Sequence, residues 1–249
     1  MSITVKSDEQ IAAMRKAGRV LRDTLLLLEE KTKVGISTYE LDKIAYEYIK
    51  KEGGVPSFLH YGGFPGSVCI SIDEEVVHGI PSKKRIVEDG VLVKLDCGVG
   101  MYGVHTDAAR TVCVGNVSPE KRKLAEVTKQ SFFEGMKVLK AGVRLGTLGH
   151  AIQSYAESFG YGVVRDLVGH GIGTSVHEDP NVPNFGIEGR GLRLFTNMTI
   201  AVEPMINMGT HEVYCEDDEW TIVTDDGLPS AHYENTLVIK EDGVEILTL

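Results

Sequence analysis

Basic residues are scarce in this chain. Lys and Arg number 26 against 36 Asp and Glu, a formal net charge of -10 over 249 residues. That balance argues against nucleic acid or an anionic membrane as the main partner. Cysteine is scarce too. Cys69, Cys97, Cys113 and Cys215 form no C-x-x-C pair, which argues against structural zinc and a disulfide framework and points to a reducing cytoplasm. Long apolar runs are missing: Leu25–Leu28 is as long as any and far too short to span a bilayer. The segment MSITVKSDEQ has no apolar core and is acidic by residue 8, so a signal peptide is not expected. Pro/Ser-rich linkers and low-complexity stretches are also absent. Hydrophobic residues make up 42% of the chain, enough for a sizeable core in one or two domains.

Capping signals mark four helices. Ser7 with Gln10 forms a capping box ahead of the amphipathic run Ile11, Met14, Val20, Leu21, Leu25 and Leu28. Ser37 with Glu40 forms another, and that helix should end at Gly53-Gly54. Ser118-Pro119 opens a third, which should stop near Gly142. A fourth is expected from about Thr147 to Gly160. Strand-like segments follow each helix pair, an α+β, layered order with two similar halves, about 5–117 and 118–249. A shift of 107 residues carries Gly35 onto Gly142, Leu41 onto Leu148, Tyr48 onto Tyr155 and Gly53 onto Gly160. It also carries Asp96 onto Glu203.

Residues 94–107, KLDCGVGMYGVHTD, read as two arms of a β-hairpin carrying one acid each. Val93, Leu95 and Cys97 alternate with Lys94 and Asp96. If Gly100-Met101-Tyr102-Gly103 is a four-residue loop, Asp96 faces Asp107 directly, with Cβ atoms about 4.5–5.5 Å apart. Two like charges there are destabilising unless a cation or shared proton lies between them. A solvated hairpin face is the plain alternative, but the flanking residues are too apolar and small for one. A second hairpin, with arms near 198–207 and 231–240, would supply Glu203 and Glu234. Its connection holds the acidic stretch Glu216–Glu219 and Gly227. Two such hairpins would deliver four carboxylates to a shared centre between the halves.

The segment VGHGIGTSVHEDP, 168–180, adds two histidines. Its glycines follow G-x-G-x-G, not a dinucleotide fingerprint, and His177-Glu178 fails the HExxH pattern because Asn181 holds the fifth place. A lone histidine is usually a surface or core residue. Two in a Gly-rich segment, with unpaired acids elsewhere, favour a metal site.

HGIP at 78–81, the run from Asp96 to Asp107, GHGIG at 169–173, EPM at 203–205 and HYENT at 232–236 together resemble the signatures of the methionine aminopeptidases, type 1, of the bacterial kind. The resemblance runs from about residue 5 to residue 249. It implies a single catalytic domain of the pita-bread fold: two pseudo-symmetric halves with a curved, mainly antiparallel sheet and helices on its outer face. It implies Asp96, Asp107, His170, Glu203 and Glu234 as ligands of two divalent ions, with Asp107 and Glu234 bridging. Four carboxylates against two divalent ions leave a neutral site. Mainly oxygen donors with one imidazole suit Mn, Fe(II), Co or Zn without choosing among them. A water shared by the ions would become the nucleophile on the scissile carbonyl, with Glu203 shuttling a proton. His177 would stabilise the oxyanion or contact the scissile amide, and His78 would position the following residue. Tyr61, Phe64, Cys69 and Trp220, with Met205 near, would line a slot for a thioether side chain. For Trp220 and Cys69 plain core packing is the competing reading.

His232 stands where the family often has glutamine, and Val176 where it often has an aromatic residue; both bear on pocket shape and second-residue tolerance. The implied activity is removal of initiator methionine from nascent chains with a small second residue. The implied setting is cytoplasmic and monomeric, with transient ribosome association and no membrane. The alternatives are an X-Pro aminopeptidase or prolidase-like enzyme on the same ligands, and a non-catalytic pita-bread binding module. The start Met1-Ser2 itself has a small second residue. The protein should therefore lose Met1 on cytosolic expression, and an intact mass retaining it would contradict that.

Overall fold

A computed structural model describes residues 3–249; Met1-Ser2 lies outside the described residues. Four helices carry the outer layer: α1 (Asp8–Lys31), α2 (Thr38–Lys51), α3 (Pro119–Val138) and α4 (Leu145–Glu157). Both capping boxes form. Ser7 Oγ accepts the Gln10 N–H while Gln10 Oε1 accepts the Ser7 N–H, and Ser37 pairs with Glu40 in the same way. Ser118 caps α3 with Pro119 at its first position. The apolar stripe of α1 buries Leu21, Leu25 and Leu28 with Leu41, Ala45 and Ile49 of α2 against Ile70, Val93, Leu95 and Val99. Phe132 of α3 and Leu148 and Ile152 of α4 do the same against Ile200, Val202, Leu237 and Ile239.

Two helix ends differ from expectation, for tertiary reasons. α3 stops at Val138, short of Gly142, because Ala141 and Gly142 donate their N–H groups to the carbonyls of Lys240 and Leu194. α4 starts at Leu145 with no side-chain cap on Arg144. Its first N–H groups, of Leu145 and Gly146, are taken instead by the carbonyls of Leu192 and Arg190. The 107-residue shift nevertheless carries α2 onto 145–158, almost the span of α4.

The strands that matter for the site are β1 (Val68–Ile72), β2 (Val91–Met101), β3 (Val104–Val114), β4 (Gly169–Gly171), β5 (Thr199–Val202), β6 (Met205–Asn207), β7 (Ser230–His232) and β8 (Asn235–Lys240). Their pairings are all antiparallel. β2 is central in the first sheet, between β3 and β1. In the second sheet β5 lies between β8 and β4.

The first hairpin closes more tightly than the sequence reading expects. Met101 pairs with Val104 across a two-residue turn, Tyr102-Gly103, with φ of 53° and 76°. Positive φ at both positions suits the right-handed twist of a hairpin, and Gly103 takes it without strain. Asp96 therefore faces Ala109, and Asp107 faces Gly98. The two acids are diagonal neighbours, not direct partners. The register differs by two residues, so both remain on one face; a slip of one would have sent them to opposite faces.

The second hairpin is interrupted at its centre. Val202 pairs with Asn235 and Met205 with His232, one register on either side of Glu203-Pro204 and Tyr233-Glu234. There the Tyr233 N–H still donates to the Pro204 carbonyl at 3.2 Å, while the Glu234 backbone turns to the first hairpin. Ala109 and Glu234 exchange N–H to carbonyl bonds of 3.3 and 3.0 Å. Thr236 Oγ1 accepts the Asp107 N–H and donates to the Asp107 carbonyl, both at 2.8 Å. Thr111 Oγ1 mirrors this at the other end, accepting the His232 N–H and donating to the His232 carbonyl. One backbone pair flanked by two threonine hydroxyls thus stitches β3 to β7–β8. Thr236→Val would leave both Asp107 backbone groups buried and unpaired, a loss of about 1–3 kcal/mol that urea denaturation would measure.

Candidate metal centre and substrate pocket

Two acids reach the site from the face of an unbroken hairpin and two from a gap between strands. Asp96 and Asp107 project from the same face of β2 and β3. Glu203 and Glu234 sit where the second hairpin parts. His170 is the middle residue of β4, between Gly169 and Gly171. A Cβ on Gly169 would lie 2.4 Å from the Ala201 carbonyl oxygen, and one on Gly171 2.2 Å from that of Asp179. Neither neighbour admits a side chain, so glycine lets β4 press close enough to present His170.

Asp96, Asp107, His170, Glu203 and Glu234 line one cavity of about 160 Å³. Asp107, His170 and Glu234 each offer a ligand atom within 4.8 Å of one another. His170 Nε2 lies 3.9 Å from Asp107 Oδ2 and 3.7 Å from Glu203 Oε1. Its Nδ1 is bonded to the Gly171 carbonyl at 2.8 Å, which makes Nδ1 the donor and leaves the Nε2 lone pair facing the acids.

The electrostatics of this cluster are unfavourable without a cation. Burial raises the Asp96 carboxyl to about 7. Burial and the neighbouring carboxylates push Asp107, Glu203 and Glu234 well above the ordinary range. Burial lowers His170 to about 3, with His177 adding to the effect, and lowers His232 to about 3. The histidines are therefore neutral and cannot compensate the acids. One oxygen each of Asp96, Asp107 and Glu234 is buried without a hydrogen-bond partner among the described residues. Orphaned carboxylate oxygens converging with a neutral imidazole are a donor set that fits a divalent metal ion.

The rest of the cavity wall is aromatic. Tyr61, Phe64, Cys69, His78, His177 and Trp220 all border it, so every site residue singled out in the sequence meets there. Trp220 stands edge-on to Phe64, centroids 5.2 Å apart. The acidic stretch before it has a structural use: Asp218 accepts the N–H groups of Trp220 and Thr221. His177 shares a 3.0 Å hydrogen bond with the Tyr61 hydroxyl through Nδ1, and its ring lies 4.0 Å from that of His170. Burial lowers the His177 pKa, and burial with His177 lowers His78 to about 4. His78 holds a φ of 62°, a left-handed conformation seldom adopted by a side-chain-bearing residue.

Met205, expected near the slot rather than in its lining, is buried beside Val76, Val77 and Val164. Phe58 borders the cavity, and Val176 packs on Phe58, Phe64 and Cys69. Phe58 had no sequence signal beyond being one aromatic among turn residues. His232 also approaches the acids, with Nε2 4.0 Å from Glu203 and 3.9 Å from Glu234.

The model of metallopeptidase family M24 matches residues 12–241. A methionine aminopeptidase of Clostridium acetobutylicum is 51% identical over 247 residues, 99% of each chain. Methionine aminopeptidase 1 of Bacillus subtilis is 46% identical over 99% of each chain. The crystal structure of a methionine aminopeptidase from Thermotoga maritima superposes with a TM-score of 0.98 at 39% identity over 99% of each chain. A prolidase from Pyrococcus furiosus has a TM-score of 0.79 at 21% identity, covering 98% of this chain and 65% of that one, which shows a shared fold alone.

Raised carboxyl pKa values make metal binding compete with protons. The site carboxyls bind protons in the folded, metal-free protein that the unfolded chain, with carboxyl pKa values of about 4, has released. That contribution to stability is complete below about pH 4 and lost as pH rises through the folded values. The neutral site histidines act oppositely, but only below about pH 6.5. The melting-temperature gain from saturating Mn(II) over chelator should therefore grow between pH 6.5 and 8. Lys94 and the buried cysteines titrate in both forms and largely cancel. A gain that is flat or falls with pH would contradict this electrostatic account.

Proposed function

This chain belongs to metallopeptidase family M24, and we infer that within the family it acts as a methionine aminopeptidase, releasing N-terminal methionine from peptides. Its relatives of 51% and 46% identity over nearly the full chain carry that name. The observation that carries the reading is one cavity in which a carboxylate-rich donor set meets an aromatic, thiol-bearing slot. The physiological substrates under this reading are nascent chains with a small residue after the initiator methionine, met in the cytoplasm with transient ribosome contact. The enzyme acts as a monomer. Residues 1–249 form one catalytic unit, whose halves, about 5–117 and 118–249, each contribute two of the carboxylates.

Asp96, Asp107, His170, Glu203 and Glu234 would hold two divalent ions of the Mn, Fe(II), Co or Zn type. Bound ions supply Lewis acidity, polarising the scissile carbonyl and bringing the pKa of water towards neutrality. Glu203 takes a proton from the attacking water and returns it to the leaving amine as the C–N bond breaks. With Tyr61 donating to His177 Nδ1, Nε2 carries the proton and donates to the developing oxyanion. His78 positions the residue after methionine. Phe58, Phe64, Cys69 and Trp220 enclose the methionine side chain, whose thioether suits aromatic edges. The substrate ammonium faces the acidic end, which restricts the site to free N-termini.

An X-Pro aminopeptidase would use the same five ligands, and a non-catalytic module would have lost some of them. The full ligand set and the high identity to methionine aminopeptidases favour the first reading over both. Chelator-stripped protein given Mn, Fe(II), Co or Zn singly should release methionine from Met-Ala-Ser and leave acetyl-Met-Ala-Ser and Ala-Pro intact. Xaa-Pro cleavage would move the assignment to the sister activity, and no turnover with any ion to the binding module. Glu203→Gln should keep the fold and lower kcat by about 10²–10⁴-fold; near-normal turnover would exclude the proton-shuttle role. Asp107→Ala should be more damaging, since it removes a carboxylate from the ligand cluster it forms with His170 and Glu234.

A further inference from the structure

His232 takes no part in the reaction above. Its ring is buried, and both Nδ1 and Nε2 lack a hydrogen-bond partner among the described residues. Buried polar groups are usually paired, so an imidazole with two orphaned nitrogens is an exception with a cause. Its backbone is fixed at both groups by Thr111 Oγ1. The side chain stands between two carboxylates from opposite sides of the interrupted hairpin. Nε2 is 4.0 Å from Glu203 Oε2 and 3.9 Å from Glu234 Oε2. Glu203 thus has Oε1 towards His170 and Oε2 towards His232. Asp96, Asp107, His170, Glu203 and Glu234 all border the cavity and His232 does not, which favours a supporting role over direct coordination.

We propose that His232 is a positioning residue of the metal centre: its Nε2–H holds the outer oxygens of Glu203 and Glu234 and so turns their inner oxygens towards the ions. The proposal rests on the metallopeptidase reading. Residues that orient metal-bound carboxylates typically change metal affinity about 10–100-fold when removed. Hydrogen bonds from a neutral donor draw the carboxylates into ligand geometry, and the ion then supplies the countercharge they lack. Glu203, the proton carrier, would be held at one oxygen while the other works.

The test is calorimetric titration of Mn(II) into chelator-stripped, full-length protein. His232→Leu fills the space without a donor, and His232→Gln keeps a donor. The leucine variant should bind about 10–100-fold more weakly, and the glutamine variant should recover most of that loss. A folded His232→Leu protein with wild-type affinity overturns the proposal. A second measurement needs no variant. Long-range ¹⁵N NMR of the imidazoles, before and after Zn(II) loading, should show His232 Nε2 protonated in both states and shifted on loading. Loss of that proton makes His232 a direct ligand and overturns the positioning role; an unmoved resonance overturns it as well. A wild-type protein that takes up no ion overturns the metallopeptidase reading itself, and this proposal with it.

Discussion

Four carboxylates buried within reach of one another, beside histidines that burial keeps neutral, are the constraint from which the rest of the site follows. Such a cluster cannot be fully ionised in a low-dielectric interior unless it holds cations. The fold keeps it in place by means that do not involve charge. Ala109 and Glu234 pair through their backbones, and Thr111 and Thr236 each supply a hydroxyl where a further strand pair would need two carbonyl–amide bonds. The acids are thereby held at fixed separation before any ion arrives, as a preorganised site requires.

The second hairpin joins the first through the backbone of its own acid. In the register that holds on either side, Glu203 and Glu234 face each other as a pair whose backbones do not bond to one another. The Glu234 N–H and carbonyl therefore point outward and pair with Ala109 of β3, while the Tyr233 N–H donates to the Pro204 carbonyl. The first hairpin is continuous, and its two acids are separated along one face by the diagonal register. Arg110 closes the seam from behind, donating to the Glu234 carbonyl and to Asn235 Oδ1. Its guanidinium thus bonds to the backbone and an amide near the acids, which remain available to metal.

The aromatic end of the cavity answers a different demand. Its wall is built from Phe58, Phe64, Trp220 and Cys69 with Val176 behind them, polarisable surfaces of the kind that suit the thioether side chain the proposed function would place there. Trp220 lies on a connection rather than on a central strand, and Asp218 fixes it by accepting two backbone N–H groups. The Tyr61–His177 bond joins this aromatic end to the acids through the adjacent ring of His170.

Local features were legible in the chain alone. Capping boxes at Ser7 and Ser37, the Ser118-Pro119 start, the period-two alternation around Asp96 and the 107-residue echo all depend on neighbours in sequence, and each has its counterpart in the structure. The acids and histidines of the site were equally visible, because unpaired charge amid apolar residues is a conflict that sequence displays. What needed the tertiary structure was everything set by partners far along the chain. The register of the first hairpin was two residues off because the twist preference of a short turn outweighed the apparent loop. α4 starts two residues ahead of the expected Thr147 because the carbonyls of Arg190 and Leu192, rather than a side chain, satisfy its first amides. Phe58 and His232 join the site for the same reason. A side chain's neighbours depend on hydrogen bonds such as that from Asp107 to Thr236, 129 residues apart, and no local pattern encodes contacts at that distance.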